Sequence, residues 1–485
     1  MVLLALAALV VQSPESRCAA VASWRLPDTK IAAAQFVAAV DATAPGPVHV
    51  AHCKVTGTIG SEIGFAVWLP ETWNGRFLMS GGGGFVGDVP GPGAGLDRGF
   101  AVTATDTGHR SSGTDARWAL NNLERQINFG YLATHRTAET AKAIVRQYYG
   151  HDAERSYFDG CSDGGREALM EAQRYPEDFD AIIAGAPVYN QIHLNESQVS
   201  LQVEMLKNPA RLVPAAKVTL FNNAVVAACD DKDGVKDGIV SDPRTCKFDP
   251  AVLQCKKEGD SAECFTAAQV ESARKAYASV TTKSGELVYP GHSPGFEFGW
   301  RIPSTTAPMN PLFADMPRYL GRQDANFDLM SFDLDTDLAL AMKNGSVIEA
   351  SDPNLAKFKA RGGKLLMYHG WADPGPAPEN TINYYNAVTK SLGSTKQEDW
   401  IRLFLMPGMG HCSGGVGPDQ ADFLGAMEAW KEKGTAPNQI IATRNGGGRG
   451  GLTPMTRPLC PFPQLAKYSG TGSADDAKNF VCSAP

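Results

Sequence analysis

Gly160-Cys161-Ser162-Asp163-Gly164-Gly165 sets a serine between glycines, after the strand-like run Ser156-Tyr157-Phe158 and before a stretch of helical spacing from Glu167 to Arg174. The serine therefore falls on a strand-to-helix turn. Flanking glycines leave room for the strained geometry that pushes a hydroxyl out above a sheet. Gly-x-Ser-x-Gly alone is a weak signal, but His411-Cys412 adds a histidine beside a second cysteine. If Ser162 and His411 touch, Cys161 and Cys412 meet as well, and a disulfide between them fastens the two halves of one site.

The surrounding pattern is α/β. Arg76-Phe77-Leu78-Met79 and the run from Phe100 to Thr105 read as buried strands, and Tyr131 to Tyr149 as a helix returning across the sheet. Ala181 to Ala184 is another strand. The alternation stops near Pro187 and resumes with Lys364 to Tyr368, Arg402 to Met406 and a helix around Phe423 to Trp430. We expect an α/β-hydrolase core formed by residues 13–187 and 356–485, with residues 188–355 inserted as a lid. The glycine run from Gly446 to Gly451 is expected to be a loop, since no strand precedes it and no Lys-Ser/Thr follows.

A serine hydroxyl needs a base within hydrogen-bond reach, and the base needs a carboxylate to fix its tautomer. In an α/β-hydrolase the order along the chain is Ser, acid, His. Asp373 follows the strand ending in Tyr368-His369-Gly370-Trp371, and His411 follows a later strand through Pro407-Gly408-Met409-Gly410. Ser162, Asp373 and His411 are the expected nucleophile, acid and base. His369 is read as a structural histidine at a strand end, and the Asp163 side chain as projecting away from the turn. Donors for a developing oxyanion are the backbone N–H of Asp163 and an N–H from the Gly81–Gly84 run, with Gly84 selected.

Composition limits the partners. With 45 Lys and Arg against 52 Asp and Glu, the chain carries a net charge of −7 and shows no concentrated basic patch, which argues against nucleic acid and anionic membrane surfaces. The expected partner is a small-molecule substrate, and no signal sets an oligomeric state. Val2 to Val11 is apolar and of signal-peptide length, although without a charged start, so residues 1–12 are read as a signal-peptide remnant. The ten cysteines contain no C-x-x-C pair, which suits disulfides and a secreted or periplasmic protein.

Cys229-Asp230-Asp231-Lys232-Asp233-Gly234-Val235-Lys236-Asp237-Gly238-Ile239 suits a hard cation. Calcium takes carboxylates and backbone carbonyls, here the side chains of Asp230, Asp233 and Asp237 and the carbonyls of Val235 and Ile239. Ser241 stands where an EF-hand has its closing Glu, so this is a different loop. The bland alternative is a solvated acidic turn. Cys229 and Cys246 bracket it, and a disulfide there would staple its ends.

Taken in order, Trp73-Asn74-Gly75-Arg76-Phe77, the Gly81–Gly84 run, Gly160-Cys161-Ser162, the Asp230–Ile239 loop, Tyr368-His369-Gly370-Trp371-Ala372-Asp373, Pro407-Gly408-Met409-Gly410-His411-Cys412 and Arg457-Pro458-Leu459-Cys460-Pro461 resemble the tannase and feruloyl esterase family of serine esterases. That family includes mono(2-hydroxyethyl) terephthalate hydrolases. The resemblance implies an α/β-hydrolase with a lid, the triad and calcium loop named above, and the pairs Cys18–Cys53, Cys161–Cys412, Cys229–Cys246, Cys255–Cys264 and Cys460–Cys482. It also implies hydrolysis of esters of hydroxycinnamic, gallic or related aromatic acids through an acyl-serine. Trp300, Arg301 and Phe313 in the aromatic, cation-bearing lid stretch are the expected substrate contacts. Pro374-Gly375-Pro376 after Asp373 is not aromatic, so a terephthalate monoesterase is the second reading. A catalytically inactive calcium-dependent binding protein on the same scaffold is the alternative from another class.

Overall fold

The computed structural model describes residues 13–41, 48–257, 259, 261–300, 309–393, 397–446 and 452–485. The apolar start, Arg301 and Gly447–Gly451 lie outside them. One mixed sheet organises the chain. Its strands are β1 (Thr29–Val37), β2 (His52–Ile59), β3 (Ile63–Pro70), β4 (Arg76–Ser80), β5 (Ala101–Thr105), β6 (Arg155–Cys161), β7 (Ala181–Gly185), β8 (Lys364–Gly370) and β9 (Ile401–Met406). The order across the sheet is β1-β2-β3-β5-β4-β6-β7-β8-β9. The first three strands form an antiparallel meander joined to β5, and every pairing from β5 to β9 is parallel.

The parallel strands are apolar along their whole length because both faces are covered. Phe77, Met79, Phe158, Ile182, Leu365 and Met367 pack on one side, against Ala141, Ile144 and Val145 of helix α1 (Ala133–Tyr149). Leu78, Tyr157, Ile183, Leu366 and Phe404 point the other way, onto Met427 and Trp430 of a C-terminal helix, Phe423–Lys433. Single-residue alternation between two cores is the strand period made visible.

Between β7 and β8 the chain leaves the sheet and becomes mainly helical, with its own apolar clusters. Val199, Val203 and Phe313 belong to one, and Phe221, Val225 and Phe265 to another. The excursion begins with helix α2 (Gln191–Lys207). It rejoins the main core through Ala350 and Leu355, which pack in the same cluster as Leu365.

Candidate functional site

Three loops at the carboxyl ends of β6, β8 and β9 converge. Ser162 has φ 66° and ψ −121°, a conformation L-residues avoid and one that the turn between β6 and the helix Asp163–Arg174 enforces. A Cβ at Gly160 would meet the Gly164 carbonyl oxygen at 2.4 Å, so the turn closes only with glycine there. The Ser162 hydroxyl donates to His411 Nε2 at 2.8 Å, and His411 Nδ1 donates to Asp373 Oδ2 at 2.6 Å. A carboxylate can only accept, so this pair of contacts sets the tautomer a base needs. Cys161 and Cys412 are bonded, with Cα atoms 6.0 Å apart. The other four disulfides are Cys18–Cys53, Cys229–Cys246, Cys255–Cys264 and Cys460–Cys482.

Asp373 is buried, which by itself would raise its pKa. The neighbouring His411 charge and hydrogen bonds from His369 and His411 outweigh burial and hold the carboxyl well below its usual range. Gly375 N–H donates to the other oxygen at 2.8 Å. His369 is thus more than a strand-end histidine. Its Nε2–H donates to Asp373 Oδ2 at 3.1 Å and to the Pro376 carbonyl at 3.1 Å, while the Thr381 hydroxyl meets Nδ1 at 2.7 Å. Its position four residues before Asp373 was the available sequence signal.

The glycine run packs directly on the elbow. Gly81 N–H donates to the Asp159 carbonyl and Gly82 N–H to Glu167 Oε2, so these two amides are taken. Gly84 has φ 62°, and a Cβ there would meet the Gly113 carbonyl oxygen at 2.1 Å. Gly84 and Asp163 both line the cavity that holds Ser162 and His411. The Asp163 carboxylate turns inward to Arg166, with Nε donating to Oδ1 at 2.6 Å, and Arg166 also donates to the carbonyls of Phe129 and Gly130. Glu167 lies under the glycine run. Burial, reinforced by the charge of Asp163, pushes its carboxyl up to about 8.

The cavity measures about 80 Å³ and is walled by Val188, Leu194, Leu312, Phe313, Pro374 and Pro376. Of the expected substrate contacts, Phe313 lines it. Trp300 does not: it packs edge-on against Phe221 and Tyr277 within the inserted segment's own cluster. Gln191 and Asn195 also line the cavity, and the sequence reading did not single them out.

The acidic loop curls around Asp230. Its carboxylate accepts from the backbone N–H groups of Asp237, Gly238 and Ile239. Asp233 Oδ1 accepts from Val235 N–H at 2.9 Å, and Asp237 Oδ2 from Arg457 at 2.6 Å. Burial raises Asp237, the Arg457 charge works against it, and the charge of Asp233 adds to the rise. The donor set, carboxylate and carbonyl oxygen throughout, fits a hard cation. Among the described residues, the three aspartates do not form a group whose ligand oxygens all lie within 4.8 Å of one another.

Ser162, Asp373 and His411, hydrogen-bonded in this chain order at the carboxyl ends of a largely parallel sheet, are the arrangement of the α/β-hydrolase class. Residues 48–483 match the family described as tannase and feruloyl esterase, and the chain belongs to it. It is a carboxylic ester hydrolase. It is 37% identical to an uncharacterised esterase of Xanthomonas campestris pv. campestris, over 98% of this chain and 92% of that protein. It is 32% identical to a mono(2-hydroxyethyl) terephthalate hydrolase of Piscinibacter sakaiensis, over 95% of this chain and 90% of that one. The crystal structure of feruloyl esterase B from Aspergillus oryzae superposes with a TM-score of 0.89 at 27% identity, covering 97% of this chain and all of the other.

Proposed function

We propose that the protein hydrolyses esters of aromatic carboxylic acids, with Ser162, Asp373 and His411 as its triad. The Ser162 oxygen attacks the ester carbonyl as its proton passes to His411 Nε2. The tetrahedral oxyanion is met by the N–H groups of Gly84 and Asp163, and collapse releases the alcohol, protonated by His411. Water, deprotonated by His411, then attacks the acyl-serine, and the acid leaves. The observation that carries this reading is His411 bridging Ser162 and Asp373 inside a cavity walled by apolar side chains. Relatives named probable feruloyl esterase and feruloyl esterase B support the aromatic acyl group. Ser162→Ala should abolish hydrolysis of methyl ferulate while the protein still melts cooperatively, and full activity in that variant would overturn the assignment.

The 32% identical terephthalate monoesterase favours a second reading, hydrolysis of mono(2-hydroxyethyl) terephthalate. Faster turnover of that ester than of methyl ferulate would establish it. The inactive binding protein predicts ligand binding with no turnover, and a complete triad opposes it.

Three further features complete the proposal. Residues 188–355 act as a lid whose Leu194, Leu312 and Phe313 close over Ser162. Asp230, Asp233, Asp237 and the carbonyls of Val235 and Ile239 hold a structural calcium ion, which would neutralise the buried charge of the loop. Five disulfides suit a secreted or periplasmic protein.

A further inference from the structure

Two residues that line the Ser162 cavity each carry a side-chain oxygen with no hydrogen-bond partner. Gln191 Oε1 and Asn195 Oδ1 are buried and unpaired, on residues each 3% exposed. Both residues line the cavity that holds Ser162 and His411. A buried amide oxygen left without a donor is costly, and the cost disappears when a ligand supplies the missing proton.

The geometry around them is fixed. Gln191 and Asn195 are four residues apart on the first turns of α2, so they share one helix face with Cβ atoms about 5–6 Å apart. Asn195 Nδ2 donates to the Gln191 backbone carbonyl at 2.9 Å, so Asn195 cannot reverse its amide without giving up that bond. The helix start is itself tied down. The amides of Asn190 and Asn380 bond each other, Tyr189 donates its hydroxyl to Asn380, and Glu349 accepts from Ile192 N–H. The helix backbone and the Asn195 amide are therefore set before substrate arrives, the Gln191 side chain is free to turn its oxygen to a donor, and Leu194, Leu312 and Phe313 supply apolar surface for a ring.

We infer that Gln191 Oε1 and Asn195 Oδ1 form a subsite that reads hydroxyl groups on the acyl ring, with two acceptors suited to two hydroxyls on neighbouring ring carbons. A ring without hydroxyls leaves both oxygens unpaired. A ring bearing a carboxylate in the same place sets an anion against carbonyl oxygens. The pair therefore favours phenolic over terephthalate-like acyl groups. This rests on the aromatic-esterase reading above and assigns it a specificity determinant.

The test uses the full-length protein and four methyl esters on one scaffold: cinnamate, 4-hydroxycinnamate, 3,4-dihydroxycinnamate and 4-carboxycinnamate. kcat/KM should rise about three- to tenfold with each hydroxyl and fall at least as far for the carboxylate. In Gln191→Met/Asn195→Leu, confirmed folded by its melting profile, the hydroxyl dependence should flatten. Equal wild-type rates across the neutral series would overturn the inference while leaving the esterase reading intact, and no turnover of any ester would overturn that reading itself. If the double variant keeps the wild-type ratio of dihydroxycinnamate to cinnamate, the two amides are not the readers.

Discussion

His369 donates its Nε2–H to the same Asp373 oxygen that accepts from His411 Nδ1, so one carboxylate oxygen is shared by two histidines. His369 is a positioning residue, since it touches Asp373 rather than Ser162. His369→Ala should lower kcat by about ten- to a hundredfold with little change in KM, because a small misplacement in a triad is expensive. The direction with pH follows from the carboxyl. With His369 gone, Asp373 stays ionised and its Oδ2 accepts from His411 alone, which favours the imidazolium, so the acid limb of the kcat profile should move to higher pH. His369→Gln, which keeps a donor, should recover part of the rate. A variant with unchanged kcat and an unshifted acid limb would refute the role.

Glu167 makes stability depend on pH in the opposite direction from an ordinary salt-bridged carboxylate. Burial pushes its pKa from 4.5 up to about 8 in the fold. Between those values the unfolded chain has lost the proton and the folded one keeps it, so stability falls as pH rises through that window and is level above it. Glu196, pushed by burial up to about 8, acts in the same sense. The wild-type melting temperature should therefore drop between pH 5 and pH 8. Glu167→Gln keeps an oxygen for the Gly82 N–H and has no proton to lose, so its drop should be smaller, with a gain on the order of a few kcal/mol at most at pH 8. Parallel melting curves for the two proteins across that range would contradict this.

The parts of this molecule legible in the sequence are those where one physical constraint dominates. β4, β7, β8 and β9 stand out because strands covered on both faces must be apolar throughout. The antiparallel strands β1, β2 and β3 are absent from the sequence reading; β1, an Ala-rich edge strand with no buried residue, offers neither period clearly. The convergence of Ser162, Asp373 and His411 is legible because each lies within a few residues of the carboxyl end of a strand, in the order Ser, Asp, His. Trp300 and Phe313 looked alike from their aromatic character, and packing alone separates the one in the Phe221 cluster from the one at the cavity. Gln191 and Asn195 give no sequence signal, because what marks them is a missing partner.

The Cys161–Cys412 bond has a kinetic and a thermodynamic consequence that can be separated. It joins positions 251 residues apart, for which chain-entropy arguments give about 5 kcal/mol or less. It also ties the His411 loop to the elbow, with Cys412 in the left-handed region at φ 61°. Cys161→Ala/Cys412→Ala should therefore lose kcat at temperatures well below its own melting transition, by about tenfold or more. A variant that melts earlier yet turns over at the wild-type rate would show that the bond only stabilises.

The calcium ion proposed for the Asp230–Ile239 loop makes a prediction that activity alone cannot settle. The loop lies beside the sheet domain, with Asp237 paired to buried Arg457, whose guanidinium stacks over Phe480 at 3.9 Å. Removing a cation would leave Asp230, Asp233 and Asp237 repelling one another across partly buried positions, against one arginine. Ligand-binding linkage then requires that chelation lower the melting temperature and that added calcium restore it, by an amount growing with the logarithm of free calcium. Asp233→Asn should weaken that response and lower the metal content, while the initial rate on methyl ferulate below the melting transition stays near wild type, because the loop contributes no group to the Ser162 cavity. Melting curves that ignore both chelator and calcium, together with no metal by elemental analysis, would leave this loop a solvated acidic turn closed by Cys229–Cys246.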